Sequence, residues 1–138
     1  MNYVTGSLDG KPVAPLLPNV KEWSGRGKIA NSGWMTSNLQ CYDDHIAAVR
    51  FTPRGVMSTD AEIIWLVNAE AKEGKDYQVN RLTALWDTTM YEDKWIVENN
   101  HLGILSGRYR AGSYATTETG PSRLVKWYMS EVIAGGQV

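Results

Sequence analysis

Apolar positions fall into three patterns along the 138 residues of the chain. From residue 1 to about 27 they follow no period, because Gly6, Gly10, Pro12, Pro15 and Pro18 interrupt any run. Such a stretch resists both helix and central strand and reads as an extended arm with turns. From Lys28 to Asn68 short runs alternate with turn residues. Trp34–Gln40, His45–Thr52 and Ala61–Asn68 read as three strands, separated by Cys41-Tyr42-Asp43-Asp44 and by Pro53-Arg54-Gly55. Short polar connections between them predict an antiparallel meander. The period then lengthens. Residues 76–105 carry helical spacing, with Asp76 placed to cap the start, although Val79 stands where a full capping box needs Glu or Gln. A shorter helix is predicted over 122–133, started by Pro121 and ended by Ala134-Gly135-Gly136, with Leu124, Val125, Tyr128 and Val132 as its stripe. The expected fold is α+β in a single domain over 1–138, an antiparallel sheet with the long helix lying across it.

One residue does not fit the face it shares. At 100° per residue, Leu82, Trp86, Met90, Val97 and Ile104 fall on one third of the long helix, the side that should meet the sheet. Asp93 sits inside that stripe, about 20° from Trp86 and about 40° from Val97. Asn100 shares the face. A carboxylate in an apolar stripe is costly unless charge, hydrogen bonds or a metal satisfies it. Periodicity leaves two readings open. Either Asp93 meets a buried arginine, a water or a backbone amide, or is left wet by a bend in the helix, or it is aimed into a cavity as a metal ligand or acid–base group.

Composition narrows the classes. An apolar fraction of 43% and a charged fraction of 21% are those of a soluble globular protein. The net charge of −1 and scattered lysines and arginines give no footprint for nucleic acid. No run approaches a membrane span, since the longest apolar stretch is Ile63 to Val67. No secretory leader is visible at the start, so the cytoplasm is the expected location. One cysteine, Cys41, excludes an internal disulfide, an iron–sulfur cluster and a structural zinc site, and reads as a buried apolar residue. The two histidines, His45 and His101, are far apart and match no metalloprotease motif. His45 opens a strand and reads as structural or exposed. His101 lies about 12 Å along the helix from Asp93 and roughly 80° around it, which makes it a rim residue at best.

Several blocks in order carry a family resemblance: RFTPRG (Arg50–Gly55), TDAEIIWLVNAEAKEGKDY (Thr59–Tyr77), RLTALWDTTMYEDKWIVENNHLGILSGRYRAG (Arg81–Gly112) and RLVKWYMSEV (Arg123–Val132). With GSLDGKPVAPLLP (Gly6–Pro18), they resemble the C-terminal part of the catalytic domain of Rieske-type non-haem iron, aromatic-ring-hydroxylating oxygenase alpha subunits. The likeness is greatest to the branch that demethylates quaternary amines. The resemblance implies a partial helix-grip, START-like fold, in which an antiparallel sheet wraps a long helix. It implies a mononuclear iron(II) held by two histidines and a carboxylate, with open positions for O2 and substrate. The family's carboxylate falls in the segment resembling Tyr91-Glu92-Asp93-Lys94 and maps to Asp93. Glu92, the nearest alternative, points roughly 100° away. The family's ligand histidines, the acidic residue that links the iron to the neighbouring subunit's cluster, and the Rieske 2Fe-2S motifs have no counterpart here.

Three functional expectations follow. As an oxygenase segment, the chain would carry Asp93 as metal ligand, with Trp86, Met90, Val97 and Asn100 lining or supporting the pocket, and a reductase or ferredoxin would serve the intact enzyme. Alone it would lack the cofactors and be inactive. As a metal-free ligand-binding module, it would hold an aromatic or quaternary-ammonium ligand among Trp34, Trp65, Trp86, Trp95 and Trp127 through cation–π contacts, although core packing is the favoured account for most of these rings. As a folding fragment, it would expose a sheet edge and apolar surface and associate into a homo-oligomer.

Overall fold

The computed structural model describes residues 4–31 and 36–135. Among the described residues four strands form one antiparallel sheet in sequence order: β1 (Ile29–Asn31), β2 (Ser37–Cys41), β3 (His45–Gly55) and β4 (Ser58–Val67). Three helical segments follow: α1 (Val79–Ile104), α2 (Thr119–Trp127) and a π-helical stretch, Tyr128–Ile133. The chain is therefore α+β, as its periodicities predict. Two compact units divide it, residues 1–96 and 97–138, and α1 runs through the division.

Register decides which side of the sheet is covered. Gln40 pairs with Ala47 and Ala47 with Trp65, while His45 pairs with Val67 and Val49 with Ile63. Opposed residues share a face, and Gln40, His45, Ala47 and Val49 are all buried there. On the other face Ile29, Leu39, Ile64 and Leu66 are exposed.

The strands differ from the expected ones at identifiable places. β1 lay unrecognised, because three residues are too short for alternation to register. The strand read as Trp34–Gln40 begins, among the described residues, at Ser37; Trp34 itself lies outside them. β3 was expected to stop before Pro53 and instead runs to Gly55. Phe51 N–H donates to Thr36 O at 2.7 Å, so the same edge two residues on belongs to Pro53. The position that faces it across that edge lies outside the described residues. The proline nitrogen faces away from β4, so the pairing of β3 with β4 loses no donor there. A register shift between Pro53 and Gly55 then closes the hairpin.

The start of α1 also moves. Asp76 accepts from Lys72 N–H at 2.9 Å, and its own N–H donates to Lys72 O at 2.8 Å, so it closes a turn before the helix. The carbonyl of Gln78 then receives Arg81 and Leu82 N–H, and the helix begins at Val79. Leu82 is buried and Trp86 and Met90 are half-buried, but every residue from Tyr91 to Asn100 is exposed. The second helix starts three residues earlier than expected, at Thr119, with Pro121 in its first turn. It changes to π-helical hydrogen bonding at Tyr128, with Ala134 N–H donating to Met129 O.

Candidate functional site

The α1 face that the sequence singles out is present but open. Trp86, Met90 and Asp93 belong to the first unit, and Trp86 holds its indole Nε1 buried without a hydrogen-bond partner among the described residues. Asp93 is exposed. Further along the same helix, in the second unit, Val97 and Asn100 are exposed as well, Val97 by 60%. Among the described residues no group of three or more His, Cys, Asp or Glu side chains could hold a metal ion. These residues thus offer one candidate ligand of the iron centre that the resemblance implies, and do not form that centre by themselves.

The most developed polar cluster lies elsewhere, at the turn from β2 to β3. Asp44 and His45 are both fully buried. Asp44 Oδ1 lies 2.9 Å from His45 Nδ1 and also accepts from Thr5 Oγ1, while its Oδ2 accepts from Val13 N–H at 2.9 Å. Burial pushes the Asp44 carboxyl up, but the hydrogen bonds from His45, Thr5 and Val13 outweigh it and hold the group below the usual carboxylate range. The Tyr42 ring stacks on His45 at 4.7 Å. Burial, and after it the Asp44 charge, raise the Tyr42 phenol above its ordinary value.

Gly6 closes this cluster from the arm side. A Cβ there would lie 2.5 Å from Tyr42 Cε2 and 3.0 Å from His45 Nε2, so only glycine admits so close an approach. His45 Nε2 is buried against it with no partner among the described residues. The neighbouring Asp43 completes the attachment. Its carboxylate accepts from Ser24 N–H at 2.7 Å and from Ser24 Oγ, and its carbonyl accepts from Leu17 N–H at 2.9 Å. Two adjacent acidic turn residues therefore organise most of the arm. His45 opens β3, and of the two faces the sequence left open to it the structure gives it the buried one; the burial of Asp44 carried no sequence signal. Its partners stand 39 and 31 residues away.

Near the same junction, Pro12, Val13, Ala14 and Pro15 face Lys75, Asp76, Tyr77, Gln78 and Arg81 across a cleft of about 300 Å³. Asn68, just past β4, donates from Nδ2 to Leu16 O at 2.8 Å and so holds the arm to the end of the sheet. Cys41 is half-buried as a free thiol. No helix among the described residues is long and apolar enough to cross a membrane.

Comparison with known proteins gives these features a context. Residues 3–133 match the family described as ring hydroxylating alpha subunit (catalytic domain). The glycine betaine monooxygenase oxygenase subunit of Pseudomonas aeruginosa (strain UCBPP-PA14) is 35% identical over 137 residues, covering 94% of this chain and 30% of that protein. The oxygenase subunit of the same description from Chromohalobacter salexigens is 31% identical over 136 residues, covering 95% of this chain and 30% of its own length. The chain thus spans about 30% of the length of the curated relatives it matches.

Proposed function

Because the chain belongs to the catalytic-domain family of ring-hydroxylating, Rieske-type oxygenase alpha subunits, we propose that it contributes the carboxylate-bearing helix of a mononuclear iron(II) site, with Asp93 as the ligand. An iron(II) held by two histidines and one carboxylate keeps positions open for O2 and substrate. The observation that carries the reading is the position of Asp93 on α1, within a match that covers nearly the whole chain. The half-buried Trp86 and Met90 lie about two turns and one turn before Asp93 and would form the adjoining pocket wall. The substrate class that fits the relatives' names is a quaternary amine such as glycine betaine, with O2-dependent N-demethylation as the reaction. A 2Fe-2S Rieske cluster and a reductase or ferredoxin belong to the intact enzyme, and the chain alone is inactive.

A chimera tests this. The matching 30% of the Pseudomonas aeruginosa subunit is replaced by this chain, and iron is measured after anaerobic loading. The expected result is about one mononuclear iron per subunit, with affinity falling more than about 100-fold in Asp93→Ala, beyond the loss typical of groups outside the ligand sphere. Unchanged iron in the Asp93→Ala chimera would remove Asp93 from the role.

One observation favours a second reading, a metal-free binding module. The buried Nε1 groups of Trp65 and Trp86 both lack partners among the described residues, and an anionic or carbonyl ligand would supply acceptors for them. Tryptophan fluorescence of the 138-residue chain, titrated with glycine betaine and with an aromatic carboxylate, is its check. A flat response to both eliminates the module.

A further inference from the structure

Asp44 stands where the arm meets the sheet, and the arm in turn meets the base of α1. The carboxylate takes donors from Thr5 and Val13 on the arm and from His45 on β3. Val13 is bonded to Asp44 on one side and lines the cleft with Pro12, Ala14 and Pro15 on the other. The opposite wall, Lys75–Gln78 and Arg81, is the stretch that turns the chain into α1. Asp9, four residues after Thr5, adds a long ion pair to Arg81 at 3.9 Å. A continuous path therefore runs from the Asp44 carboxylate through the arm to the first turn of α1.

Leverage makes that path matter. Asp93 lies about 16 Å along the helix axis from the buried Leu82, so a tilt of roughly 5° at the base moves it by about 1.4 Å. Displacements of that size are large on the scale of catalytic geometry, where a misplacement of about 1 Å costs about 100-fold.

We propose that Asp44 is a positioning residue for Asp93: by fixing the arm it fixes the direction in which α1 leaves the β4–α1 turn. The catalytic consequence rests on the reading of Asp93 as ligand, but the mechanical link does not.

The test uses the 138-residue chain without iron, so a failure of the Asp93 reading leaves it untouched. Amide hydrogen exchange is compared in wild type, Asp44→Asn and the milder Thr5→Val. In a Cys41→Ser background, spin labels at exposed Ala61 on β4 and Glu92 on α1 report the direction of the helix by pulsed electron resonance. In both variants exchange should rise about tenfold or more in peptides covering 5–17, while 46–66 stays protected. The Ala61–Glu92 distance distribution should then shift or widen by about 1–2 Å, as a tilt of a few degrees requires. A freed arm with an unchanged distance overturns the proposal. So does an arm that stays protected in both variants. If Asp44→Asn loses protection throughout the sheet, Thr5→Val decides, and sheet-wide loss there also overturns it.

Discussion

Asp44 is a buried carboxylate with three donors, and its energetics can be read from the sign of its shift. The folded group titrates below the ordinary carboxylate value of about 3.9, so its contribution is complete above that value and is lost as pH falls through the depressed folded one. His45 and Tyr42 are the titratable groups packed against it. We therefore expect the urea midpoint of the chain to drop as pH is lowered from about 5 to below about 3, with Asp44→Asn flattening that slope. At neutral pH, Asp44→Asn should cost about 2 kcal/mol, because it exchanges an ionised acceptor for an amide that cannot serve all three donors. An equally steep acid limb in the variant would show that other carboxylates govern it. Gly6 gives a second expectation. A methyl group there collides with the Tyr42 ring, which is held by its stack on His45, so Gly6→Ala should cost about 1–3 kcal/mol in denaturant unfolding. The sequence showed Asp93 through its helical neighbours. It could not show Asp44, since Tyr42-Asp43-Asp44 reads as an ordinary polar turn until Thr5 and Val13 are brought to it.

The same distinction between near and far partners holds among the elements. α1, α2 and the two long strands were legible because each repeats its own period over many residues. β1 was not, and neither was the extension of β3 beyond Pro53, which rests on pairing with β4 as far as Gly55 rather than on β3 itself. Pro53→Val should be close to neutral, within about 0.5 kcal/mol by urea unfolding, because the restored N–H faces away from β4 and leaves that pairing as it is. A loss above about 1.5 kcal/mol would mean that Pro53 fixes the register shift that follows it. The α1 start shows a related limit. Asp76 looks like a cap, yet its carboxylate closes a turn to Lys72, and such a turn competes locally with capping. The helix boundary moved by three residues in consequence, without changing the face on which Trp86, Met90 and Asp93 lie.

For the whole molecule, the exposed apolar surface and the isolated carboxylate have a common consequence. One sheet face leaves Ile29, Leu39, Ile64 and Leu66 accessible, and α1 leaves Trp95, Ile96 and Val97 accessible. Apolar surface gathered on one face favours association in water. At working concentration the chain should therefore sediment as a dimer or larger species, and Ile64→Lys with Leu66→Lys should move it toward monomer without lowering its midpoint of thermal unfolding. A monomer in the unsubstituted chain would contradict this. The described residues supply one candidate ligand for a centre that needs three, so association through the sheet face adds no histidine beside Asp93 unless the helices also meet. If they do not meet, iron after anaerobic loading stays far below one per chain and is the same in Asp93→Ala. If near-stoichiometric iron instead disappears in that variant, copies of the chain are completing one another's site, and the lysine substitutions on the sheet face should then release metal and dissociate the assembly together.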